Sequence, residues 1–205
     1  EFRRVLFRSN GELMTLLRQT IEREVAGTLD LGTLFRSNSM ASRMMSAFSR
    51  SIGMDYLRTL LKPKIDSIIA SKENLEIDTM KLAGDQVEAQ RETVVVPPAL
   101  IDSNVTKLTE HAIDFIQTIM AGKAKAPLEY YQISALLKDI VSKKFPEQWK
   151  IAIGGYLFLR LMCPSIFLPP DEFGIQFESV APEAKRTLVL VSKILQNLAN
   201  LNPKF

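Results

Sequence analysis

From Leu13 onward the apolar side chains recur at steps of three and four, and nowhere alternate at steps of two over a length that could build a sheet. A chain with that rhythm buries its apolar surface by packing helices on helices. Leu16, Leu17, Ile21 and Val25 mark a first stripe. Ser39 is placed to cap a second helix carrying Met40, Met44 and Phe48 on one face. Asp55 starts a third through Tyr56, Leu57, Leu60 and Leu61. Pro63 lacks the amide that the helical ladder uses, so it kinks that helix or opens another bearing Ile65, Ile68 and Ile69.

Residues 71 to 102 lose the rhythm, and the Thr93-Val94-Val95-Val96 run within them is too isolated to form a sheet. Asn104 is placed to cap the next helix, with Val105, Leu108, Ala112, Phe115, Ile116 and Ile119 on its stripe and an end near Gly122. Pro127 opens another through Tyr131, Leu136, Ile140 and Val141, stopped by Phe145-Pro146. Ile151 to Met162 is apolar almost all round and reads as a helix buried on most sides, ended by Cys163-Pro164. Arg160 within it needs partners for its five donors. Pro169-Pro170 reads as a loop, and Pro182 opens a last helix with Leu188, Val191, Leu195 and Leu198 facing inward. The expectation is a single all-α domain of about seven helices.

Composition removes several kinds of chemistry. The 205 residues are 46% hydrophobic, enough for a sizeable core, with no secretory signal and no apolar run of spanning length, which points to a cytoplasmic chain or to the cytoplasmic part of something longer. One histidine, His111, and one cysteine, Cys163, leave a His/Cys zinc site short of ligands and allow no internal disulfide. His111 reads as a surface residue, Cys163 as a small buried hydrophobe, and Trp149 and the methionines as packing groups.

The pentapeptide Leu-Phe-Arg-Ser-Asn occurs twice, at Leu6 to Asn10 and at Leu34 to Asn38. Five residues with different flanks do not make a structural repeat. Residues 1–9, Glu-Phe-Arg-Arg-Val-Leu-Phe-Arg-Ser, resemble the translation of a sequencing-library adapter and are set aside as non-native, leaving 10–205 as the domain. They carry three arginines and one glutamate, so the formal charge of +3 falls to about +1 without them. What basic density remains, at Lys143-Lys144 and at Lys62 with Lys64, reads as solvated surface and gives no sign of a nucleic-acid partner.

The second copy stands in Thr33-Leu34-Phe35-Arg36-Ser37-Asn38-Ser39-Met40-Ala41-Ser42, which resembles the finger-loop motif of Ras GTPase-activating domains. Phe158-Leu159-Arg160-Leu161-Met162-Cys163-Pro164-Ser165-Ile166 resembles that family's Phe-Leu-Arg block, and Ser192-Lys193-Ile194-Leu195-Gln196-Asn197-Leu198-Ala199-Asn200 its third block. Three motifs in order make a specific signal. The resemblance runs over roughly residues 12 to 205 and is nearest the neurofibromin type. The family's domain continues with further helices after the third block, so the chain is expected to lack C-terminal ones.

The resemblance implies a helical bundle that stimulates GTP hydrolysis on a GTP-bound Ras-family protein, with Arg36 as a finger inserted in trans. Arg160 would hold the finger loop through its main-chain carbonyls. Leu34, Phe35, Ser37, Asn38, Leu159, Lys193, Gln196 and Asn200 would face or frame the partner. The domain would be an enzyme regulator with no cofactor or metal of its own, because GTP and magnesium come with the GTPase. It would not insert into the membrane, and would be recruited there through other domains or its partner. Two rivals stand beside this, a silent scaffold that binds GTPases and an unrelated adaptor that holds a peptide in a groove.

Overall fold

The computed structural model describes residues 10–35, 38–82 and 96–201. Seven α-helices fall among them: α1 (Asn10–Gly27), α2 (Met40–Ser71), α3 (Pro98–Gly122), α4 (Leu128–Lys144), α5 (Trp149–Gly154), α6 (Cys163–Phe167) and α7 (Pro182–Ala199). A π-helix, Gly155–Met162, joins α5 to α6. No strand occurs among the described residues. The all-α class read from the sequence is the observed one.

Two apolar clusters hold the bundle. Leu17, Ile21 and Val25 of α1 pack with Met45 and Phe48 of α2, Ile133 and Leu137 of α4, and Tyr156. Leu57, Leu61 and Ile65 of α2 pack with Leu108 and Phe115 of α3, Ile166 of α6, and Leu188 and Val191 of α7. Helix α2 and the segment from α5 to α6 run through both clusters and make them one body.

Three of the hydroxyls inside this core, those of Ser49, Tyr130 and Tyr156, are paired across helices, while those of Thr187 and Ser192 have no hydrogen-bond partner among the described residues. The Tyr130 hydroxyl donates to the Ser49 carbonyl at 3.0 Å, and the Ser49 and Tyr156 hydroxyls lie 2.5 Å apart. Gly53 makes room for this cluster, since a Cβ there would stand 1.9 Å from the Tyr130 hydroxyl oxygen. After α2 the chain is pinned by Glu76, whose carboxylate takes a fork from Arg186 of α7 at 2.6 and 2.9 Å and accepts from the amides of Ile77 and Asp78.

Several element boundaries differ from the sequence expectation. Ser39 does cap α2, its hydroxyl accepting from the Ser42 amide at 3.1 Å, but α2 then runs unbroken through Asp55 and Pro63 to Ser71. Pro63 is solvent-exposed, so water can serve the carbonyl its ring leaves unbonded, while Leu57, Leu61 and Ile65 hold the inner face. Asn104 is not a cap. Helix α3 begins at Pro98, where a missing amide costs nothing, and buried Asn104 donates to the Glu76 carbonyl at 2.8 Å.

Cys163-Pro164 does not end its segment either, because Pro164 lies in the first turn of α6. Trp149–Phe167 is therefore a continuous 19-residue helical stretch, long and apolar enough by composition to cross a membrane, contrary to the sequence expectation. In the bundle it is an inner element, with Tyr156, Leu161, Cys163 and Ile166 fully covered.

Leu16, Met40, Val105, Tyr131 and Leu198 were placed on inner stripes and are exposed, whereas Leu17 and Tyr130, each one step away from an exposed one, are buried. One residue turns the side chain by about 100° around the helix, enough to move it from core to solvent. Val94 and Val95 of the valine run, and residues 1–9, lie outside the described residues.

Candidate functional site

The stretch between α1 and α2 is built from its own polar groups. Asp30 accepts the Gly32 amide on its carboxylate at 2.9 Å, and its carbonyl takes the Thr33 amide and hydroxyl at 3.0 and 2.7 Å. That closes a single 3-10 turn, Leu31–Thr33, which delivers Leu34 and Phe35 inward. Both are buried, at 7% and 4% exposure. Asn38, three residues beyond Phe35, is exposed. Arg36 and Ser37 themselves lie outside the described residues.

Phe35 has φ of +55°, a left-handed conformation that a bulky non-glycine residue adopts at a cost. Its peptide groups are held from two sides. The amide donates to Glu24 Oε1 at 2.9 Å, and the carbonyl accepts from Arg160 through Nε at 3.1 Å and through a terminal guanidinium nitrogen. Glu24 Oε2 also accepts from the Ser39 hydroxyl, the same hydroxyl that caps α2. The end of α1 that carries Glu24 is itself fixed by Lys144 of α4, which donates to the carbonyls of Val25 and Ala26 at 3.0 and 2.7 Å.

Arg160 reaches the loop from the π-helix, whose wider winding spans the whole Phe158-Leu159-Arg160 run; the Cys163 amide bonds back to the Phe158 carbonyl, five residues earlier. Beside Phe35 lies a narrow crevice lined by Leu34, Phe35, Ile151, Ala152, Gly155, Leu159 and Asn200. All three sequence blocks meet there. The close approach of α5, just before the second block, to the third block depends on Gly154, where a Cβ would lie 2.9 Å from the Ala199 carbonyl oxygen. A larger depression, lined by Arg50, Leu168, Asp171, Phe177 and Lys185 among others, shares no residue with this crevice.

On α7, Lys193 is exposed and Gln196 half-buried. Gln196 also contacts the Cys163 thiol; burial pushes that thiol up to about 12, with the Gln196 hydrogen bond opposing the rise. A thiol so held stays protonated and unreactive at neutral pH. His111 is half-buried on α3, away from the residues that line the crevice.

The sequence reading missed Glu24 and Asp30. Glu24 precedes Val25, the last buried residue of the α1 stripe, and sits at the rim of the core. Its position at that rim is the only signal the sequence carries, and it does not say which loop atoms the carboxylate would meet.

Residues 16–200 match the profile of the family described as GTPase-activator protein for Ras-like GTPase. Among curated proteins, human RasGAP-activating-like protein 1 is 31% identical over 96% of this chain and 25% of its own length. Human Ras GTPase-activating protein 1 is 30% identical over 93% of the chain and 17% of its own length. A Drosophila melanogaster GTPase-activating protein is 27% identical over 96% and 16%. The chain thus spans a quarter or less of the length of these relatives. With the family profile spanning all three blocks that meet at the Phe35 crevice, this chain belongs to the Ras GTPase-activator family.

Proposed function

We propose that this chain is a GTPase-activating domain that accelerates GTP hydrolysis on a Ras-type GTPase by inserting Arg36 into the partner's nucleotide pocket. As GTP is attacked by water, charge develops on oxygens around the γ-phosphate, and a cation placed there stabilises the transition state more than the ground state. Arginine suits the position because its guanidinium is permanently charged and donates two parallel hydrogen bonds to phosphate oxygens. In the Ras pair such a finger is worth about 10³ to 10⁵ in rate, roughly 4 to 7 kcal/mol.

The observation that carries the reading is the fixed Phe35 peptide immediately before Arg36, held through Glu24 and Arg160 and flanked by the crevice of Leu34, Leu159 and Asn200. A fixed residue directly before the finger lowers the conformational freedom that insertion must remove. Lys193, exposed on α7, supplies a cation for an acidic face of the GTPase. Nucleotide and magnesium arrive with the partner in its GTP-bound form, and the hydrolytic site is the partner's.

The test is single-turnover GTP hydrolysis by a Ras-type GTPase with and without the domain. Arg36→Ala should abolish the acceleration, a loss of about 10³-fold or more, and leave much of the binding to the GTP-loaded partner. Equal acceleration by the wild type and R36A would overturn the finger, and binding without acceleration by either would favour the scaffold.

A further inference from the structure

Resting on the finger reading above, we infer that Glu24 is a positioning residue for the finger: one carboxylate closes the loop by holding the chain on both sides of Arg36. Oε1 takes the Phe35 amide at 2.9 Å, and Oε2 takes the Ser39 hydroxyl. Phe35 and Ser39, the described residues that bracket positions 36–38, are therefore bonded to one carboxylate.

That group is well anchored. It projects from the last turns of α1, where Val25 is buried, Lys144 bonds the Val25 and Ala26 carbonyls, and Thr28 donates to the Glu24 carbonyl at 2.7 Å. Ser39 passes the constraint to α2 by capping it at the Ser42 amide. Glu24 and Arg160 reach the two peptide groups that flank the Phe35 Cα, through its amide and its carbonyl, so the left-handed turn at Phe35 is fixed at both polar atoms. Glu24 acts through where Arg36 starts and where the chain returns at Ser39.

The experiment uses the 205-residue chain. Single-turnover hydrolysis by a GTP-loaded Ras-type GTPase is followed across domain concentrations for wild type, E24A, E24Q, E24D and R36A, and amide exchange is read at Phe35. E24A should lower the saturated rate about 10- to 100-fold, change the half-saturating concentration by less than about threefold, and speed Phe35 exchange. E24Q should keep most of the rate, because its carbonyl oxygen can accept from Phe35 while its amide donates to the Ser39 oxygen. E24D falls one methylene short of both contacts and should lose at least about threefold in the saturated rate, which keeps the test open if E24A fails to fold.

A wild-type saturated rate in E24A and E24D, or a loss confined to half-saturation, would overturn the role of Glu24 while leaving the finger intact. So would a Gln variant as impaired as Ala. No acceleration by wild type would overturn the finger itself and this role with it.

Discussion

The guanidinium of Arg160 donates to the carbonyl oxygen of Phe35 across 125 residues of sequence, through Nε at 3.1 Å and through a terminal nitrogen. Phe35 is one of three left-handed non-glycine residues among those described, at φ +55° with a buried aromatic side chain. A left-handed non-glycine residue costs about 1 to 2 kcal/mol. Burial of the ring and bonds at both of its peptide groups offset that cost.

Arg160→Ala should therefore weaken both stability and activity. Leaving a half-buried carbonyl without its charged donor costs about 1 to 3 kcal/mol, read as a lowered denaturation midpoint. The saturated rate of stimulated hydrolysis should fall at least about tenfold as the Phe35 peptide loses its fixed orientation. Arg160→Lys restores charge but not the planar fork and should recover the activity only in part. Unchanged melting and rate in R160A would refute the linkage.

The strain at Phe35 gives a reversed ranking of two small residues. At an ordinary helix or strand position alanine is better than glycine by about 1 kcal/mol. At a left-handed position the order inverts, so Phe35→Gly should be less destabilised than Phe35→Ala, again by about 1 kcal/mol. Both should still lose about 2 to 5 kcal/mol overall, since removal of a buried phenyl outweighs the strain relieved. Urea titration of the two variants decides it, and F35A more stable than F35G would show that the backbone is not strained there.

Adjacent glycines in the Phe-Leu-Arg helix should respond oppositely to alanine. At Gly154 the added methyl meets the Ala199 carbonyl oxygen at 2.9 Å, a backbone atom that cannot rotate aside. Overpacking of this kind costs about 1 to 3 kcal/mol and exceeds the gain of up to about 1 kcal/mol in helix propensity. At Gly155 the nearest neighbour is Leu159 Cδ1 at 3.7 Å, an ordinary contact, so the propensity gain should dominate. Thermal melting of G154A and G155A should therefore move in opposite directions.

Glu76 makes stability depend on acid. Burial alone would raise its carboxyl, but the Arg186 fork and the amides of Asp78 and Ile77 prevail and hold it at about 2. Because the folded value lies below the ordinary one, this contribution is complete above about pH 4.5 and is lost as pH falls from there through about 2. Over that window the unfolding free energy should drop more in the wild type than in Glu76→Gln, read as a larger acid-induced fall in the urea midpoint. Equal acid sensitivity in the two proteins would show that another group is responsible.

The helical class, the seven-helix scale and the three blocks were legible in the sequence because each is local. Apolar residues at steps of three and four state the class without reference to any partner element, and Ser39 caps α2 through an amide only three residues away. What the sequence could not state is set by contacts between distant residues. Pro63 stays inside α2 and Asn104 inside α3 because burial of neighbouring faces and the Glu76 carbonyl outweigh local breaker and cap preferences. Glu24 meets both Phe35 and Ser39 only because α1 ends beside them, and Arg160 reaches the Phe35 carbonyl only because the π-helix passes nearby. Periodicity follows from the geometry of one helix, whereas a hydrogen bond across 125 residues depends on how all the helices pack.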